Sequence, residues 1–469
     1  LKSLENLNWL TLSGTLATDF SVLEHLPQLE SFSVRSDFFD FTQAEYLLAL
    51  PNLQRLYIAN DSLTQLPDLS SLTVLEDVTL STSVADLSVL QHNTMLTSLA
   101  VYSNTGVTIP ADASWPALES LFLNSGTLEN LSLITQFENL RSLSLQNNAL
   151  TTIDGIDTLS NLESLYLSGN NISDISELSA LTSLKALSIG YNPINDISAI
   201  SGLTALTDLR IEEIDTNDLN ALSNLSNLRS LDAGSYDSTT NWSVISNMPL
   251  LKQLSLTGVA RSDLPVIEDK SDQLTSLYLS QVSSPDLSFL FNHYKLSYLG
   301  VYPAVGTRFY CWQASYLNRY QLGAVNVGGG NIENECDTTD DTNDFDNDGV
   351  NNIDEIANNT NPLEDNGAPS RVAFLIDALD VFETSNWDDS RHTVVVKRSG
   401  DTSQQTSLDL TVIENTATQA FDFQISENAL QFEPGQNFAT FELTVVDDVR
   451  IEGEENFSLE LSNMTNAEP

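Results

Sequence analysis

Residues 344 to 355 read DFDNDGVNNIDE. Asp344, Asp346 and Asp348 stand at alternate positions, Gly349 permits a sharp turn, Val350 offers its carbonyl, Asn352 follows, and Glu355 can bind through both oxygens. All these donors are oxygens, at the spacing of a calcium loop, and no His or Cys lies nearby to favour zinc. Around the motif, from Asp337 to Ala368, are ten acidic residues and no Lys or Arg. Without a cation such a segment repels itself and stays extended. A calcium sensor needs an amphipathic helix on each side of its loop and usually a second loop. Here TTDDTN precedes the motif, and NIDEIANNTNP allows at most a short helix before Pro362. The expected role is a clamp that stiffens a linker, residues 337–369.

The elements on either side must position this loop. Upstream, the frame L-x-x-L-x-L recurs from Leu7, Leu29 and Leu53 through to Leu274 and Leu296 at intervals of 21 to 24 residues, with a degenerate fifteenth copy from Leu322. A period of that length marks stacked units, none of which can bury its apolar face alone. The clearest copy is LESLYLSGNNISDISELSALTS, 162–183, in which Leu165 and Leu167 alternate as in a strand. Ile172, Ile175, Leu178 and Leu181 line the return side. The pattern resembles the bacterial leucine-rich repeats of internalin-like surface proteins. The resemblance implies an α/β solenoid over 1–336, about fifteen repeats of about 22 residues, with a parallel sheet on the concave face. In that family the ninth position usually holds an asparagine; here Asn104, Asn148, Asn170 and Asn192 supply it, with Asp37 and Asp61 as partial substitutes.

With the leucines inward, the third, fifth, seventh and eighth residues of each frame face the concave solvent. These columns carry Trp9, Tyr57, Tyr102, Phe122, Tyr166, Tyr191, Tyr278, Tyr298 and Tyr302 among Ser, Thr, Ala, Gly and Asn, with few charges. Rigid rings among small polar groups suit a surface that binds a protein or a glycan, although tyrosine also simply suits strands. The two cysteines, Cys311 and Cys336, bracket the last copy. A disulfide between them would staple the terminal turn and place folding outside the cytosol; two unpaired thiols in a reducing compartment are the alternative.

Downstream, HTVVVKR, TSLDLTV, ATFELTVV and NFSLELS alternate apolar and polar residues between Gly and Asp/Asn turns, the mark of an all-β antiparallel sandwich over 370–469. VFE at 381–383, FDF at 421–423, LQFEPG at 430–435 and VVDDVRIEGEENF at 445–457 resemble, in order, a Calx-beta domain. The resemblance implies calcium ligands at Glu383, Asp422, Asp447, Asp448, Glu452 and Glu455, at one end of the sandwich. It also implies a final strand after LSNMTNAEP, so the domain is expected to be incomplete here. Residues 340–366 resemble the thrombospondin type 3-like calcium repeats that join modules in bacterial surface proteins.

A net charge of -47, from 65 acidic and 18 basic residues, disfavours nucleic acid and anionic lipid as partners. No apolar run approaches the roughly 20 residues that cross a bilayer. The four histidines are scattered, and Gly328, Gly329 and Gly330 lack the Lys-Ser/Thr of a phosphate loop, so no catalytic set assembles. The expected function is calcium-dependent adhesion or recognition at the cell surface, by a monomer or one part of a longer multi-module chain. A spacer or targeting region of a larger secreted enzyme is the alternative.

Overall fold

The structure, a computed structural model, describes residues 6–102, 106–214, 216, 218–234, 242–293, 295–320, 324–327, 344, 346, 350–358, 362–363, 370–375, 391–419, 422–446 and 456–468. It separates into two compact units, Leu1–Leu251 and Lys252–Pro469. Among the described residues no helix is long and apolar enough to cross a membrane.

Fifteen strands, from β1 (Trp9–Ser13) to β15 (Ala324–Val327), form one sheet in chain order, and the paired neighbours run parallel. Each 22-residue repeat contributes one strand and returns through a short connection, most often a 3-10 turn, because the chain must reverse within a few residues. In the first unit Asp174 and Asp196 cap such turns by accepting from the amides of Ser176 and Ser198, each at 2.8 Å. Those bonds favour the ionised form and hold both carboxyls below the usual range. Inside, Leu165, Leu167, Ile172, Leu178 and Leu181 are fully buried, so the alternating positions read from the sequence do face the core.

The asparagine ladder is present where the repeat is regular. Asn148, Asn170 and Asn192 are buried, and Asn170 Nδ2 donates to Leu145 O and Leu167 O at 2.9 and 2.8 Å. Its Oδ1 accepts from Leu150 N, so one amide satisfies groups of successive turns. The expected substitution by Asp37 and Asp61 is corrected: both are exposed, and the buried positions are Ser36 and Asn60. Asn60 Nδ2 donates to Phe39 O at 3.1 Å. An amide or a hydroxyl can donate and accept at once, whereas an ionised carboxylate only accepts, so the chain uses Ser36 and Asn60 one position earlier. Asn104 lies outside the described residues.

In the second unit a helix, Cys311–Tyr320, lies over the last repeats. Trp312 is fully buried, and Phe291 packs against both Trp312 and Tyr316, with centroids at 5.7 and 4.9 Å. Gln313 accepts from Leu287 N at 2.6 Å and donates to Asp286 Oδ1 at 3.0 Å. This helix covers apolar surface that a further repeat would otherwise bury. A second helix, Asn352–Asn358, packs against it.

The antiparallel part of this unit runs from Arg371–Phe374 (β16) to Phe457–Ser462 (β22), with β19 at Phe423–Ile425 and β20 at Ala429–Phe432, in two sheets of order β16-β17-β21-β19 and β20-β18-β22. Val396, Leu408, Phe432 and Phe441 meet in the core between them. The four alternating runs named above form β17 (Arg391–Ser399), β18 (Thr406–Glu414), β21 (Phe438–Val445) and β22.

Candidate functional sites: the concave sheet and two acidic loop regions

All nine aromatic residues picked from the sequence are exposed or half-buried. Trp9 and Tyr191 are the most open, at 66% and 57%. In the first unit the rings alternate with small residues: Tyr57 pairs with Ser33 and Thr79, Phe122 with Ala100 and Ser144, and Tyr166 with Ser144 and Ser188. Strands about 4.8 Å apart cannot seat large rings on every neighbour, so small residues between them leave room for a ligand.

The same face of this unit carries the few charges that the concave columns hold. Asp77 is pushed up by burial, although Arg55 on the paired strand works against the shift. Glu212 on β10 (Asp208–Glu212) is pushed up mainly by burial, with Asp232 adding repulsion. Gly190 makes room for it: a Cβ there would stand 2.7 Å from the Glu212 carboxylate. A glycine at the seventh position of the frame was the available signal.

In the 344–355 loop, Asp344 and Asp346 are half-buried and the Val350 side chain is exposed, leaving its carbonyl as the donor named for that position. Asn352 and Glu355 lie in the first turn of the helix that packs on the cap, and both are fully buried. Glu355 N donates to Asn351 O at 3.0 Å. Burying a carboxylate in a segment with no Lys or Arg of its own fits an oxygen-coordinated cation. Asp348 and Gly349 lie outside the described residues.

At one end of the sandwich, the end of β18, the start of β19 (Phe423–Ile425), the end of β21 and the start of β22 come together. Phe423 and Phe457 stack with centroids 3.7 Å apart and join the two sheets there. Asp422 Oδ2 accepts from Thr418 N at 2.6 Å, and its carbonyl accepts from Val446 N at 2.9 Å. Val446 immediately precedes Asp447 in the chain. Of the acids implied here, Glu383, Asp447, Asp448, Glu452 and Glu455 lie outside the described residues. Among the described residues no three His, Cys, Asp or Glu side chains gather as metal ligands. Cys311 opens the cap helix and is buried; Cys336 lies outside the described residues.

Residues 369–469 match the Calx-beta domain, and residues 138–181 match a pair of leucine-rich repeats. Among solved structures, an internalin of Listeria monocytogenes, InlF, is 26% identical, with 63% of this chain and 87% of that chain covered and a TM-score of 0.54. A leucine-rich repeat protein of Leptospira interrogans, 18% identical over 71% of this chain and 95% of its own, shares the fold with a TM-score of 0.51. The apo form of the Calx CBD1 domain is 27% identical over 22% of this chain and 87% of its own, with a TM-score of 0.20. No curated protein sequence matches. The chain is an internalin-like leucine-rich repeat protein with a C-terminal Calx-beta domain. Leucine-rich repeats and Calx-beta domains are binding domains, which marks these parts of the chain as interaction modules.

Proposed function

We propose that this is a calcium-dependent recognition or adhesion protein of the cell exterior, whose concave sheet receives a macromolecular partner. The observation that carries the reading is the set of nine concave aromatic residues, each left at least partly open to solvent. A ring with few rotatable bonds loses little entropy when it is covered, so a row of them is suited to binding. The modules are 1–336, 337–369 and 370–469, with a Cys311–Cys336 disulfide closing the first. That there is no free cysteine among the described residues supports the pairing.

Asp344, Asp346, Asp348, Val350 O, Asn352 and Glu355 are the proposed ligands of one calcium ion, which supplies the positive charge this segment lacks. Glu383, Asp422, Asp447, Asp448, Glu452 and Glu455 are the proposed ligands at the sandwich. Packing of the 352–358 helix on the cap helix gives the first site a structural consequence. The linker is then tied back to the last repeats of its unit, and calcium stabilises that docking.

The test has two independent readings. Binding of the intact chain to arrayed cell-surface proteins is expected to fall in the Tyr57→Ala/Tyr166→Ala double variant, and unchanged binding rejects the concave face. Calcium, but not magnesium, is expected to raise the melting temperature of the wild type and to raise it less in Asp346→Ala. Equal shifts in the two proteins reject the loop.

A further inference from the structure

The concave columns differ along the chain in charge. In the first unit they include Arg35, Arg55, Asp77, Asp208, Arg210, Glu212 and Asp232. On β12 (Gln253–Thr257), β13 (Ser276–Val282) and β14 (Tyr298–Pro303) of the second unit they hold only Gln, Ser, Thr, Tyr, Gly and Pro. The same columns are also uncharged from Ser98 to Tyr191 in the first unit, so what sets this patch apart is its tyrosines.

Three tyrosines converge in that patch. Tyr278 and Tyr302 have ring centroids 5.4 Å apart and planes inclined at 44°. Beneath them lies Gly300, paired with Tyr278 across the sheet. A Cβ on Gly300 would stand 2.9 Å from Tyr278 Cδ2 and 3.0 Å from Tyr298 Oη, so the absent side chain is what lets the rings close in. The sheet is distorted at the same place. Register shifts between Leu279 and Val282, so that Ser280 and Gln281 oppose Tyr302, and Gln281 takes a left-handed φ of 55°. The left-handed φ is shared by the eighth residue of other repeats, Ser125, Asn147, Tyr191 and Glu213 among them, so the local feature is the bulge, which re-aims side chains.

We infer that Tyr278, Tyr298 and Tyr302 over Gly300 form a subsite for a neutral sugar ring of a glycan. This rests on the concave-face reading above and names its ligand class in the second unit. A sugar ring has an apolar C–H face and a rim of hydroxyls. The tyrosine faces match the first, and their hydroxyls, with Ser255, Ser276 and Gln253, match the second. An anionic glycan would meet the repulsion of the whole protein. A peptide is less suited, because β13 and β14 are paired on both sides and leave no strand edge to extend.

The test is calorimetric titration of the intact chain, in calcium buffer, with chitohexaose, cellohexaose, maltohexaose and mannohexaose. A heparin hexasaccharide and a decaproline peptide serve as comparators. At least one neutral hexasaccharide is expected to bind. Tyr278→Ala and Gly300→Ala are each expected to weaken it about tenfold or more, and Tyr57→Ala by less than about twofold. The melting temperature of Gly300→Ala guards against simple misfolding, since alanine suits a strand at least as well as glycine. Binding of no neutral saccharide, binding that survives Tyr278→Ala in a folded protein, or preferential binding of decaproline or heparin would overturn the subsite. The Tyr57→Ala/Tyr166→Ala array experiment reads the wider concave face separately, so either reading can fail alone.

Discussion

The two ends of the sandwich hold their polar groups in opposite ways, one by a buried cation and the other by solvent-facing acids. At the end formed by the close of β17 and the start of β18, the chain supplies its own cation. Arg398 is fully buried and donates to Gln436 O, Gln404 O, Thr402 O, Glu433 O and Thr406 Oγ1 at 2.6 to 3.1 Å. Its guanidinium also lies 5.4 Å from the Phe432 ring centroid. At the other end the loop stems are held by acids. Glu414 Oε1 accepts from Gln419 N at 2.7 Å, and Asp422 Oδ2 accepts from Thr418 N. Nine acidic residues and no basic one lie between Arg398 and Arg450. A cation at the first end is covalently present at every calcium concentration, whereas one at the second must come from the medium. One end is therefore a fixed pin, and the other, on the proposed calcium reading, would respond to the ion.

The sharpest way to break that comparison is Arg398→Met, which keeps much of the volume and removes five donated bonds. Carbonyls left buried without donors cost about 1–3 kcal/mol each before relaxation, so a loss of about 3–5 kcal/mol is expected overall. Denaturant unfolding should show the same loss with calcium and with chelator; a loss confined to chelator would mean that the pin and the acidic end are not separate. Burial lowers the Arg398 pKa to about 10, with Asp401 opposing the shift, so the pin stays charged at neutral pH.

A second buried base in this unit shows what happens without such a set of acceptors. His293 is fully buried, Nε2 lies 3.1 Å from Ile267 O, and burial lowers its pKa to about 4 from 6.5, only partly offset by backbone carbonyls and Asp272. Above pH 6.5 the ring is neutral in both the folded and unfolded chain. As pH falls from 6.5 towards 4, the unfolded chain gains a proton that the folded one refuses. Stability should then drop by up to about 3 kcal/mol, at 1.36 kcal/mol per pKa unit. His293→Asn, the residue used at the equivalent position 93, should remove that drop from the difference between the two stability–pH curves. Curves that stay parallel would place the proton elsewhere.

The reach of the sequence follows the reach of local rules. Repeat period, inward leucines and the Asn148–Asn170–Asn192 ladder were legible because each depends on residues within one 22-residue turn or its neighbour. Ser36 and Asn60 were misassigned by one position, since irregular turns shift the buried slot and only packing shows where it falls. Packing of the 352–358 helix on the cap was not legible, because no local pattern says which distant helix a short amphipathic turn meets. The roles of Gly190 and Gly300 were hidden for a similar reason: a glycine shows its purpose only through the neighbour that occupies its space.

The responsive end should move less than the pinned one. A ligand that binds only the folded form adds RT ln(1 + [L]/Kd), about 2.7 kcal/mol at a hundredfold excess over Kd. Asp422→Ala should therefore remove up to that much calcium-dependent stabilisation from the sandwich while leaving the chelated protein nearly unchanged; a large loss in chelator would make Asp422 a structural cap instead.

The smallest effect belongs to charges that neither end needs. On the first unit Glu163 accepts from Arg141 at 2.8 Å and Lys185 at 2.7 Å, and the Lys185 bond followed by its charge holds that carboxyl below the usual range. The Arg141 and Lys185 side chains are largely open to water and Glu163 is partly so, and there salt screens the pair and ordering long side chains offsets the attraction. Glu163→Gln is expected to leave the melting temperature unchanged within error at physiological salt and to lower it slightly at low salt. A clear loss at physiological salt would show that exposed cations also matter in this acidic chain, and the contrast between pinned and responsive ends would no longer account for where its few basic residues stand.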